Sequence, residues 1–183
     1  MTFCIDRRAL CLGATALAGC ASARLGARPA DGPLLFAYFS TGKGEADGLK
    51  LALSDDGFAF RTLGGGRPFL VPHVGEKNLL RDPFLWRGEG ADAPWHCIWT
   101  TAWQGVTIGH ATTRDFINWT PQRALPVMAS VPGTRNCWAP EAIFDPASRR
   151  TVIFWSSTVD GRFTETASTT EDGYNHLLRY TSR

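Results

Sequence analysis

Charge of one sign is scarce in this sequence: 19 Lys and Arg stand against 17 Asp and Glu, a formal net charge of +2. That balance is too small to predict nucleic-acid binding, which wants a clustered basic face, and no nucleic-acid partner is expected. Long apolar runs are scarce too, and the stretch from Leu10 to Ala18 is too short to cross a bilayer as a helix. No window holds a 3.6-residue periodicity long enough to compete with strands, which excludes a helical fold. The 5 cysteines form no Cys-x-x-Cys, and His73, His96, His110 and His176 form no His-x-x-x-His. A protein-built zinc site of the usual spacing is therefore not expected, and no metal is assigned. Gly64-Gly65-Gly66 lacks the Lys and Ser/Thr of a phosphate loop and reads as a turn. What the sequence does have is 19 Gly, 11 Pro and 7 Trp in 183 residues. Many turns and many large rings predict an all-β chain with aromatic surfaces, of about one domain.

The first residues read as an export address. Arg7 and Arg8 precede the apolar run, which ends in Leu17-Ala18-Gly19-Cys20 and resembles a bacterial lipobox. The expectation is a signal peptide over residues 1–19, lipidation of Cys20, and a tether over 20–32 leading to a domain over 33–183. The protein would then be exported and lipid-anchored to a membrane, in the periplasm or at the outer membrane. Asp6-Arg7-Arg8-Ala9-Leu10 is a weak twin-arginine pattern, so both export routes stay open. Removal of 1–19 and acylation of Cys20 leave Cys97 and Cys137, either paired by an oxidising compartment or separate as buried thiols.

From Pro33 onward, short apolar strands alternate with turn signals. Leu51-Ala52-Leu53-Ser54-Asp55-Asp56-Gly57-Phe58-Ala59-Phe60 matches His110-Ala111-Thr112-Thr113-Arg114-Asp115-Phe116-Ile117-Asn118-Trp119. A third copy begins at Tyr180-Thr181-Ser182-Arg183. A second unit interleaves with the first: Arg81-Asp82-Pro83-Phe84-Leu85-Trp86 with Ile98-Trp99-Thr100-Thr101 parallels Trp138-Ala139-Pro140-Glu141-Ala142-Ile143 with Phe154-Trp155-Ser156-Ser157. Repeats of short strands in this order predict blades of a β-propeller, about two to three of them, too few to close a ring of about four blades or more. Asp82 and Glu141 each sit beside a proline at the start of an apolar strand. At equivalent places in consecutive blades they would converge near the axis, the two-carboxylate arrangement that glycoside hydrolysis requires. Asp82 also has a plain reading as a turn cap before proline, and Glu141 as a surface ion-pair residue.

The motifs resemble a known family. Leu35-Phe36-Ala37-Tyr38-Phe39, Arg81-Asp82-Pro83, Ile108-Gly109-His110-Ala111, Arg114 to Trp119 and Asn136-Cys137-Trp138-Ala139-Pro140-Glu141 are similar, in this order, to the N-terminal portion of glycoside hydrolase family 43. Those enzymes are five-bladed propellers rich in xylosidases and arabinofuranosidases, and the clan is shared with family 32. The resemblance implies Asp82 as the general base on water and Glu141 as the acid that tunes the proton donor, with Glu standing where the family usually has Asp. It implies that the donor itself falls in a following blade absent from this chain. Glu165 and Glu171 lack the donor's context and read as loop residues.

Trp103 and Trp138 lie near the two acids, where rings could stack on a sugar. Trp138 as sugar platform and Trp138 as packing both stand, as do Arg81 orienting the carboxylate or sugar and Arg81 in an ion pair. Trp86, Trp99, Trp119 and Trp155 are expected in the core. An axial calcium occurs in relatives of this kind, but no local loop identifies a site, so no cofactor is expected. The resulting expectation is an exported hydrolase-like lipoprotein that cleaves plant-type oligosaccharides, xylosides or arabinosides, by inverting two-carboxylate chemistry, inactive as this chain alone. The alternative is a non-catalytic carbohydrate-binding surface lipoprotein. Partners are an oligosaccharide and, through the anchor, a membrane.

Overall fold

A computed structural model describes residues 32–41, 48–162 and 177–182 of the 183. The expected signal peptide, Cys20, Glu165 and Glu171 lie outside the described residues. The strands are β1 (Leu34–Tyr38), β2 (Lys50–Ser54), β3 (Arg61–Thr62), β4 (Arg81–Arg87), β5 (Trp95–Thr100), β6 (Ile108–Thr113), β7 (Arg123–Leu125), β8 (Trp138–Asp145), β9 (Arg150–Ser157) and β10 (Leu177–Ser182). They form three antiparallel sheets in the orders β1-β2-β3, β4-β5-β6-β7 and β8-β9-β10. Gly64–Gly66 is a single 3-10 turn, in which Gly65 takes φ 63°, a left-handed value that glycine tolerates without strain. The all-β reading holds, and the sheets are blades of a partial β-propeller-like fold.

Strand register shows how the blades correspond. Trp95 opposite Thr113 in the second sheet matches Leu34 opposite Ser54 in the first. Arg81 opposite Thr100, then a bulge, then Phe84 opposite Ile98 matches Trp138 opposite Ser156, a bulge, and Glu141 opposite Phe154 in the third. The first sheet thus corresponds to strands two to four of the second, and the third sheet to strands one to three.

The repeated turns have a shared hydrogen-bond logic. After β2, Ser54 Oγ accepts the Gly57 N–H at 2.8 Å, and Asp56 Oδ1 accepts those of Phe58 and Ala59, both at 2.8 Å. After β6, Thr113 Oγ1 accepts the Phe116 N–H at 2.9 Å, and Asp115 Oδ1 those of Ile117 at 2.9 Å and Asn118 at 2.7 Å. A short hydroxyl followed two residues later by an aspartate therefore satisfies the amides that a tight chain reversal leaves without strand partners. The expected third copy falls one residue short of that position, since Ser182, opposite Val152, takes the register place of Thr112 and not of Thr113.

Alternation along each strand builds two cores. Leu49, Leu51, Leu70, Leu80, Cys97, Trp99 and Ala111 fill the space between the first and second sheets, with Leu35, Ala37 and Phe39 packed on them. Ile108, Met128, Cys137, Trp155 and Val159, with Ile153, fill that between the second and third. Trp99 is fully buried, and burying a ring of that size is worth on the order of 4–6 kcal/mol. It fits because position 109 is glycine: a Cβ there would stand 2.0 Å from Trp99 Cε2.

Trp99 and Trp155 are core residues as expected, and Trp119 is half-buried against the first core. Trp86 is not: it is half-buried and stacks on His96 at 4.7 Å, because it lies on the opposite face of β4 from Leu85. Cys97 and Cys137 are free thiols, one in each core, and burial raises both pKa values, that of Cys137 to about 12.

Candidate functional site

The chain meets the second and third sheets with a kink at equivalent points. Asp82 and Ala139 take φ values of 48° and 46°, in the left-handed region that non-glycine residues rarely occupy, and each precedes a proline within its bulge. A residue before proline ordinarily prefers an extended backbone. Such strain persists where the surroundings hold it, and it turns both chain segments toward one cavity of about 300 Å³ between β4, β5 and β8. That volume is at the lower end of the roughly 300–1,000 Å³ range of small-molecule pockets.

The cavity is lined in matched pairs. Arg81 and Trp138 occupy one register position in the two sheets, Asp82 and Ala139 the next, and Thr100 and Ser156 the opposing one. Ala102 and Trp103 complete the wall. Thr100 Oγ1 donates to Asp82 Oδ2 at 2.9 Å and accepts the Ala139 N–H at 2.9 Å, so one buried hydroxyl fixes the carboxylate and joins the two sheets. Trp138 Nε1 donates to the Trp103 carbonyl at 3.0 Å, and the two rings meet edge to face with centroids 5.6 Å apart. The Arg81 guanidinium lies 4.3 Å from the Trp103 ring centroid and 5.1 Å from that of Phe39. Its contacts with these two rings are cation–π in kind.

A second layer holds the Trp103 loop. The Glu76 carboxylate accepts hydrogen bonds from Thr107 Oγ1 at 2.6 Å, the Val106 N–H at 2.8 Å and Thr101 Oγ1 at 2.9 Å. Burial alone would raise the Glu76 pKa, but these donors outweigh it and hold the carboxyl below its ordinary range. Gly105 makes the approach possible, since a Cβ on it would lie 2.3 Å from Glu76 Cδ.

Four of the residues expected at the site, Arg81, Asp82, Trp103 and Trp138, thus line one cavity. Glu141 does not join them. It is exposed on β8 and stands opposite Phe154, the register place of Phe84, while the true counterpart of Asp82 is Ala139. The shared proline misaligned the two acids: the proline of each sheet matches, but Asp82 comes before it and Glu141 after, so Glu141 stands two residues further along its strand, past the bulge and away from the cavity. A wider depression of about 470 Å³ over the second repeated turn offers Asp115 as its carboxylate. That carboxylate is committed to the turn amides and to Asn118 Nδ2 at 2.8 Å. Among the described residues no group of three or more His, Cys, Asp or Glu is placed to hold a metal ion.

A family profile described as a probable glycosyl hydrolase domain, Glyco_hydro_43_rel, matches residues 31–182. The chain belongs to this glycosyl hydrolase 43-related family. No curated protein matches it. In this family 43-related domain, Thr100 and Ser156 are the site residues that sequence reasoning missed. Their signal was available, since Trp99-Thr100 and Trp155-Ser156 recur at one position of the two interleaved repeats.

Proposed function

We propose that this domain binds plant-type oligosaccharides, xylosides or arabinosides, in the Asp82 cavity, and that Asp82 is the general base that activates water against the glycosidic carbon. The observation that carries the reading is the placement of the half-buried Asp82 carboxylate, held by Thr100, in one cavity with Trp103, Trp138 and Arg81. Rings of this kind suit the apolar face of a sugar, and a fixed carboxylate beside them suits proton abstraction from water. Hydrolysis with inversion needs a second carboxyl group as proton donor. Among the described residues lining the cavity, Asp82 is the one carboxylate. That favours a second reading, in which the chain binds sugar without cleaving it. We also propose export and membrane anchoring through acylated Cys20, which rests on the Leu17-Ala18-Gly19-Cys20 pattern.

Calorimetric titration with xylo- and arabino-oligosaccharides, together with hydrolysis of aryl glycosides, tests these readings. Turnover that drops by orders of magnitude in Asp82→Asn, with affinity kept, establishes the base. Saturable binding without turnover establishes the binding module. Absence of saturable binding to either sugar class removes the proposed ligand.

A further inference from the structure

The loop over residues 101–107 joins β5 to β6 and carries Trp103 into the cavity wall. Its base is the pair Thr101 and Thr107, the rung that follows Thr100 opposite Ile108. Thr101 Oγ1 lies 3.0 Å from Thr107 Oγ1 and 3.1 Å from the Thr107 carbonyl oxygen. Glu76, from the chain between β3 and β4, closes on this base without lining the cavity. Its Oε2 accepts from both hydroxyls and its Oε1 from the Val106 N–H, so one carboxylate holds the two ends of the loop at once. Two glycines let the segments come this close. A Cβ at position 75 would stand 2.3 Å from Thr101 Cβ, and one at position 105 would stand 2.3 Å from Glu76 Cδ.

Much of the cavity wall hangs from this loop. The Trp103 carbonyl accepts the Trp138 indole N–H, the two rings meet edge to face, and the Arg81 guanidinium rests on the Trp103 ring. Trp103 is 49% exposed and belongs to neither core, so its place is set by the loop and not by packing. Backbone bonds fix the far end of the loop, Gly105 N–H to the Arg135 carbonyl and Met128 N–H to the Val106 carbonyl. Glu76 is the side chain that ties that end to Thr101.

We propose that Glu76 is a positioning residue for the ligand cavity: by clasping both ends of the 101–107 loop it sets Trp103, and through Trp103 it sets Trp138 and Arg81. Glu76 is exposed and lies outside both cores, so its replacement leaves their packing intact. The clasp is made of hydrogen bonds, which a glutamine can reproduce. Gln Oε1 would take the Val106 N–H, and its amide protons would go to the two threonine hydroxyls. Those hydroxyls can turn to serve as acceptors, because Thr101 Oγ1 has the Thr107 carbonyl, and Thr107 Oγ1 has Thr101 Oγ1, within reach as alternative acceptors.

Fluorine spectra of the full chain labelled with fluorotryptophan, assigned by single Trp→Phe replacements, read the wall without any ligand. In Glu76→Ala the Trp103 and Trp138 resonances should move, while that of Trp86, which lies outside the cavity, stays. Glu76→Gln should keep the wild-type spectrum. A Trp103 resonance unmoved in Glu76→Ala overturns the inference, as does a Gln variant as displaced as Ala. Movement of all the tryptophan resonances alike also overturns it, because Glu76 would then support the fold and not the wall. A second measurement, which rests on the proposed sugar ligand, compares oligosaccharide affinities by calorimetry. Glu76→Ala should weaken binding severalfold, and should weaken it little further once Trp103→Ala is in place, because it acts through that ring. Additive losses overturn the inference. If the wild-type chain binds neither sugar class, the proposed ligand falls, and the fluorine spectra still decide the role of Glu76.

Discussion

Thr100 and Asp82 are joined across the strand pair β4/β5 by a 2.9 Å hydrogen bond, and the same Thr100 hydroxyl takes the Ala139 amide of the next sheet. Replacing it with Val should leave the half-buried Asp82 carboxylate and the Ala139 amide without their partner and cost about 1–3 kcal/mol in denaturant unfolding. Thr100→Ser should retain most of the wild-type stability. Equal losses in Val and Ser would show that the methyl group, not the hydroxyl, matters.

Trp138→Ala should weaken oligosaccharide binding by roughly 0.5–1.5 kcal/mol beyond any loss of area, a severalfold change in calorimetric Kd. Trp86, stacked on His96 outside the cavity, serves as the control. Trp86→Ala should leave affinity unchanged, and equal losses at both positions would remove Trp138 from the sugar site.

Gly109→Ala tests the first core. The added methyl would press on the Trp99 ring at 2.0 Å in a fully buried setting. Overpacking of this kind costs about 1–3 kcal/mol or more. A lowered denaturant midpoint at unchanged slope is the expected result.

Acid should unfold the domain in two stages. His110 has its pKa lowered from 6.5 to about 4, first by burial and then by the neighbouring charges of His96 and Arg123. Between those values the unfolded chain binds the extra proton, so stability falls as pH drops from about 6.5 to 4. Asp115 is held down to about 2 by hydrogen bonds led by the Asn118 backbone and side chain. Its contribution is present above the unfolded value of 3.8 and is lost as pH falls from there toward 2. His110→Gln should flatten the upper stage and leave the lower one, as read by denaturant midpoints across pH.

The wild-type chain should partition into detergent after expression in a bacterial host, and Cys20→Ala should move it to the aqueous phase. Identical partitioning of the two would remove the lipid anchor.

Much of this fold is legible in the sequence, because the repeats record local chemistry. The Ser54-Asp56 and Thr113-Asp115 turns satisfy their own amides, so the same residue types had to recur at the same spacing. The short outer strands β3 and β7 were not legible, since Arg61–Thr62 and Arg123–Leu125 are held by pairing with a neighbour and have no apolar pattern of their own. At the site, Asp82, Arg81, Trp103 and Trp138 could be picked out as polar or aromatic residues near strand starts. The fate of Glu141 could not, because a bulge at Trp138–Glu141 decides how far along the strand from the cavity the residue stands.

The placement of one free thiol in each core makes the molecule its own reporter of local opening. Cys97 is sealed between the first and second sheets and Cys137 between the second and third. Both are buried with raised pKa values, so neither reacts until its own junction parts and water reaches the sulfur. Alkylation followed by peptide mass mapping then times the two junctions separately in one untouched chain. Unequal rates would reveal which pair of sheets is the more enduring half of the domain; matching rates would show that it opens as a single cooperative unit.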